Sequence, residues 1–149
     1  MSKIVFALAI SLLSSVSFAS DVNHCIKFVG KYSRQIDNND TFGSQGLKIS
    51  VDPSATSLVL TFNSDTDPSQ WRGWIESYIA DGLVHAGDAN TGKTYVATCS
   101  SDGIAIKREG LLIKPLVTQI TVSGDQLYYL SFAEGSESRA TFMKLKKIQ

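Results

Sequence analysis

One-signed charge, metal-ligating side chains and catalytic signatures are all scarce in this chain. Its 149 residues include 14 basic and 14 acidic side chains. That balance provides no field for gripping nucleic acid or an anionic membrane surface, so neither is an expected partner. Histidine occurs only as His24 and His85, and cysteine only as Cys25 and Cys99. Neither cysteine sits in a Cys-x-x-Cys pair, and a metal site is not expected from so few soft ligands. No Gly-x-Ser-x-Gly, His-Glu-x-x-His or phosphate-loop pattern is present, and the carboxylates fall mostly in turns, where aspartate is a structural choice. The expectation is a non-catalytic protein that needs no cofactor. Long apolar runs are also missing beyond the first twenty residues, so no membrane span is expected after them.

Those first residues read as an export signal. Lys3 gives a positive start, residues 4–13 are apolar but too short for a lasting anchor, and Ser17 and Ala19 supply the small residues a signal peptidase requires. Residues 1–19 are therefore expected to be removed, leaving residues 20–149 as one secreted or periplasmic domain. In an oxidising compartment the even pair Cys25 and Cys99 reads as a disulfide. In the chain-entropy model, closing a loop of that length stabilises the fold by roughly 4 kcal/mol.

The body of the chain is punctuated for β-structure. Asp81-Gly82, Asp102-Gly103 and Gly124-Asp125 each separate strand-like runs, and Gly135-Ser136 does so near the end. Such pairs are strong short-range hairpin signals. Leu47, Ile49 and Val51 alternate with polar residues, as do Leu58, Leu60 and Phe62. Further strands are expected at 25–33, 83–88, 93–100, 104–108, 116–123, 126–133 and 139–146. Residues 67–82 admit two readings. Pro68 suits a first helical turn, and Trp71, Trp74, Ile75, Tyr78 and Ile79 fall at helical spacing, which would make a short helix over 68–80. The aromatic and β-branched content of 74–80 and the glycine at Gly73 favour a strand. The sum is an all-β chain, an antiparallel up-and-down meander closing as a barrel of about 8–10 strands, because closure removes exposed edges. A two-sheet sandwich is the alternative.

The run Phe28-Val29-Gly30-Lys31-Tyr32 resembles the Gly-x-Trp opening of a lipocalin, with Tyr32 in the tryptophan position. Residues 139–147, Arg139 to Lys147, are similar to the closing barrel strand of that group. The resemblance to lipocalin-like, calycin-type barrels implies a cup that binds a small, largely apolar molecule. Candidate ligand contacts are the amphipathic aromatics Trp71, Trp74, Tyr78, Tyr128 and Tyr129, with Arg139 or Arg72 to meet a ligand carboxylate. Ala97, Ala105, Ser131 and Ala133, if turned inward, would leave room for the ligand. The alternative partner is a secreted protein, with the chain acting as an inhibitor of a secreted enzyme through residues 34–45 or 20–24.

Overall fold

The computed structural model describes residues 22–34, 46–52, 54, 56–63, 73–87, 93–110 and 113–149. The signal-like residues, Trp71, Arg72 and most of the long first connection lie outside that set. Among the described residues ten strands follow one another as a meander: β1 (Gly30–Arg34), β2 (Gly46–Asp52), β3 (Ser57–Asn63), β4 (Ile75–Ile79), β5 (Val84–Ala86), β6 (Thr94–Cys99), β7 (Ile104–Gly110), β8 (Ile113–Ser123), β9 (Gln126–Ala133) and β10 (Thr141–Lys147). All lie in one antiparallel sheet of order β4-β3-β2-β1-β10-β9-β8-β7-β6-β5. The sheet curls into a nearly closed barrel rather than two stacked layers. The first and last strands pair at Tyr32↔Lys147 and Arg34↔Leu145, which puts the ends of the domain in the middle of the sheet.

The inward faces follow the period of two. Leu47 and Ile49 on β2, Leu58, Leu60 and Phe62 on β3, Ile104 and Ile106 on β7, and Met143 and Leu145 on β10 are all buried. Their burial supplies the main driving force, at about 25 cal/mol per Å² of apolar surface removed from water. Tyr32 is fully buried, and its hydroxyl donates to the Phe28 carbonyl at 2.8 Å.

Two expectations need correction. The opening segment is not a strand from Cys25 onward: Val22–Phe28 is a 3₁₀ helix and β1 begins only at Gly30. Cys25 and Phe28 are three residues apart, so in a helix of three residues per turn they share a face, and both are buried. Cys25 is joined to Cys99 at the end of β6, with a Cα–Cα distance of 5.3 Å. The disulfide therefore holds this helix against the barrel, where it meets β2, β3 and β6.

The second correction concerns Asp81-Gly82. It separates two strands, as a hairpin turn should, but β4 and β5 do not pair and are the two ends of the sheet. Gly82 has φ 77° and its N–H donates to the Ala97 carbonyl at 3.0 Å. That bond sends the chain on to pair with β6 instead of folding back on β4. Residues 75–79 form a strand, as their composition favours, and residues 73–80 show no helix. Gly124, at φ 63°, opens the two-residue loop between the paired Ser123 and Gln126. At Gly103 the glycine answers a close approach, since a Cβ there would stand 2.6 Å from the Ile120 carbonyl oxygen.

Candidate functional site

Along the strands on one side of the barrel the inward positions change character. On β7 the series Ile104, Ile106 ends in Arg108; on β8, running the other way, Ile120 gives way to Thr118 and Leu116. On β9 the series is Leu127, Tyr129, Ser131, Ala133, paired with Val122, Ile120, Thr118 and Leu116 of β8. The apolar half is packed solid. The other half holds small and polar side chains, which leaves space.

A hydrogen-bonded network crosses that space. Arg108 Nη2 donates to Thr118 Oγ1 at 3.2 Å, and the Thr118 and Ser131 hydroxyls share a bond of 3.1 Å. On the other side Arg108 Nη1 reaches Glu76 Oε1 at 3.3 Å, and the Tyr78 hydroxyl donates to Glu76 Oε2 at 2.7 Å. Burial pushes the Tyr78 phenol up, and the neighbouring Glu76 carboxylate adds to the effect. Burial likewise raises Tyr129, partly offset by hydrogen bonding with Thr118 and Ser131. Arg108 Nε is buried with no hydrogen-bond partner. A buried donor left unpaired costs about 1–3 kcal/mol, and a ligand acceptor would recover that loss.

Two clefts meet at this network. One, of about 460 Å³, lies at the barrel mouth between Phe62, Trp74, Leu116, Tyr129, Phe132 and Arg139, with Arg108 and Ser131 also lining it. The other, of about 480 Å³, lies at the seam between β4 and β6 and includes Tyr78, Tyr95 and Lys93. Glu76 and Arg108 line both. Each volume falls in the range that holds small organic ligands.

The expected contact residues are distributed unevenly. Trp74 is half-exposed at the mouth and stacks on Phe62, with ring centroids 4.7 Å apart. Tyr129 is buried beneath it and meets Phe62 edge-on at 5.7 Å. Tyr78 lines the seam cleft and Arg139 the rim of the mouth. Tyr128 faces the other way: the pleat turns it to the outer surface, where its hydroxyl donates to Gln126 and its ring lies 6.3 Å from Phe142. Ala97 is buried and inward, Ser131 and Ala133 line the mouth, and Ala105 is exposed on the outside. His85 Nε2 sits 2.8 Å from Asp81 Oδ1, and its ring packs on Tyr95 at 5.5 Å.

Glu76, Arg108 and Thr118 are the residues that sequence reasoning passed over. The signal for Arg108 was present in 104–108, where alternation puts it on the same face as Ile104 and Ile106. Glu76 shares a face with Tyr78 in the same way.

No protein-family model matches the chain, and no curated protein sequence matches it. Among solved structures, the crystal structure of the wild-type fluorescent protein UnaG is similar, with a TM-score of 0.57 over 82% of this chain and 98% of that one at 10% identity. At that identity the likeness is one of fold alone, and it agrees with the nearly closed antiparallel β-barrel described above.

Proposed function

We propose that this protein is a secreted or periplasmic lipocalin-like carrier that holds a small amphipathic ligand at the barrel mouth and performs no catalysis. The observation that supports it is the unpartnered, buried Arg108 Nε at the junction of two clefts. A core built only for stability would satisfy or exclude such a donor. The ligand's apolar body lies against the Phe62–Trp74 stack, and an acceptor group on it meets Arg108 and the Thr118–Ser131 hydroxyls. Tyr129 closes the floor. Burial of the apolar body provides affinity, and the polar group fixes orientation. A second reading, a module that binds a secreted protein, draws on Ile75, Leu83 and Val84, which are largely exposed beside the seam.

Native mass spectrometry of the protein purified from its own compartment, beside the same sample denatured, tests the carrier reading. The expected result is a non-covalent adduct lost on denaturation, on a chain that begins at Ser20 and is two hydrogens light. A bare native mass, with no saturable binding of the apolar dye N-phenyl-1-naphthylamine, would overturn it.

A further inference from the structure

Glu76 is an unusual occupant of an inward position. It stands on β4 between Ile75 and Ser77, on the face that carries the buried Tyr78 and Ala80. Moving a carboxylate off the solvent costs free energy unless its lone pairs are met. Tyr78 meets one oxygen closely, at 2.7 Å, whereas Arg108 meets the other with a single Nη1 at 3.3 Å. A paired guanidinium and carboxylate ordinarily engage through two parallel bonds at about 2.7–2.9 Å. Here the fork is not used, and Nε beside it has no partner. Arg108 is thus held loosely by a carboxylate that Tyr78 holds firmly.

The placement of β4 adds to this. It is an end strand, laddered to β3 on one side. On the seam side, the Ile79 N–H donates to the Tyr95 hydroxyl at 3.0 Å. Release of Arg108 asks only for rotation of the Glu76 side chain, whose other oxygen already accepts from Tyr78. Both clefts open onto this one ion pair.

We propose that Glu76 is a built-in competitor for the ligand's acidic head. It occupies Arg108 while the barrel is empty, and it yields the guanidinium when an anionic amphiphile presents a carboxylate or sulfonate to Nε and Nη1. Glu76 is then the residue that sets selectivity between anionic and neutral ligands. A neutral ligand leaves the Glu76–Arg108 pair in place, whereas an anionic one must displace it and stays close to a second negative charge. This rests on the carrier reading above and names the ligand class for the same site.

The test is a pair of dyes that share an apolar body and differ in charge: 1-anilinonaphthalene-8-sulfonate and neutral N-phenyl-1-naphthylamine. Fluorescence titration of the intact, disulfide-bonded protein gives the ratio of their affinities. Glu76→Gln is expected to raise the sulfonate-to-neutral ratio roughly two- to fivefold, the scale of a partly exposed ion pair. Glu76→Ala is expected to do the same. Adding Arg108→Met to either variant should bring the ratio back to the wild-type value or below it. A ratio that stays put or falls in both Glu76 variants, with dye still bound, overturns the competitor role and leaves the carrier standing. Failure of both dyes to bind any of these proteins overturns the two together.

Discussion

Asp81 shows how a turn residue acquires a second task. Its Oδ1 accepts the Leu83 N–H at 2.9 Å and lies 2.8 Å from His85 Nε2. A carboxylate only accepts, so Nε2 carries the proton in this pair. The His85 hydrogen bond, helped by the Leu83 N–H, holds the Asp81 carboxyl below its ordinary value. A carboxyl whose native pKa is depressed stabilises the fold above its unfolded pKa of about 4, and that contribution is lost as pH falls through the lower native value. Asp81→Asn keeps an accepting oxygen but cannot titrate. Wild type should therefore be the more stable protein in urea at about pH 7, and its advantage over Asp81→Asn should shrink toward zero as pH drops to about 2. An advantage of equal size at both ends would show that the pair does not contribute through charge.

Between elements, the weak joint is the one from β4 to β6. Three rings bridge it: Tyr78 meets Tyr95 edge-on at 5.1 Å, and His85 lies against Tyr95 from β5. The Tyr95 hydroxyl is also the acceptor for the Ile79 N–H. Tyr95→Phe keeps the ring and removes that acceptor, at a cost of about 1 kcal/mol. Hydrogen exchange should then quicken at Ile79 and its β4 neighbours, while Ile120 and Tyr129 on the β8–β9 ladder stay protected to the same degree. Uniform acceleration across the barrel would mean that Tyr95 supports the whole fold and not this joint. Little of the joint was legible in the sequence. Alternation sorted the faces of β2 and β3 correctly, because one side of each strand has to be buried and a one-residue slip would expose Leu47 or Leu60. The hairpin at Gly124 could be read because its conformation is local. Asp81-Gly82 has the same local chemistry, yet its outcome depends on the distant Ala97 carbonyl, which no short-range signal carries. The 3₁₀ helix at Val22–Phe28 was hidden for a similar reason, since its spacing answers to a disulfide partner 74 residues away. The site suffered from a bias toward aromatics: Tyr128 was counted with Tyr129 although the pleat separates them, and Arg108 was overlooked although alternation places it inside.

For the molecule as a whole, a ten-strand meander whose terminal strands pair at its centre has to leave its open edges in mid-sequence. Those edges are β4 and β5, kept together by residues 80–83 and by the Gly82–Ala97 bond. The seam is therefore tied at that end, and the cleft beside Ile75, Gly87 and Lys93 lies along it. Such an opening suits ligand exchange. Among the described residues it also leaves the outer edges of β4 and β5 without a ladder partner, and free edges invite pairing with other chains. The fold limits the hazard by keeping β5 to three residues, but Val84 on that strand is 69% exposed and Ile75 on β4 is 68% exposed. Val84→Lys places a charge on this edge and removes little buried surface. It should change the unfolding free energy by less than about 0.5 kcal/mol while raising the temperature at which light scattering begins on heating. Equal onset temperatures in the two proteins would move the origin of association away from the seam. A large loss of unfolding free energy would mean that Val84 is packed in solution, and that the barrel is more fully closed there than its strand order implies.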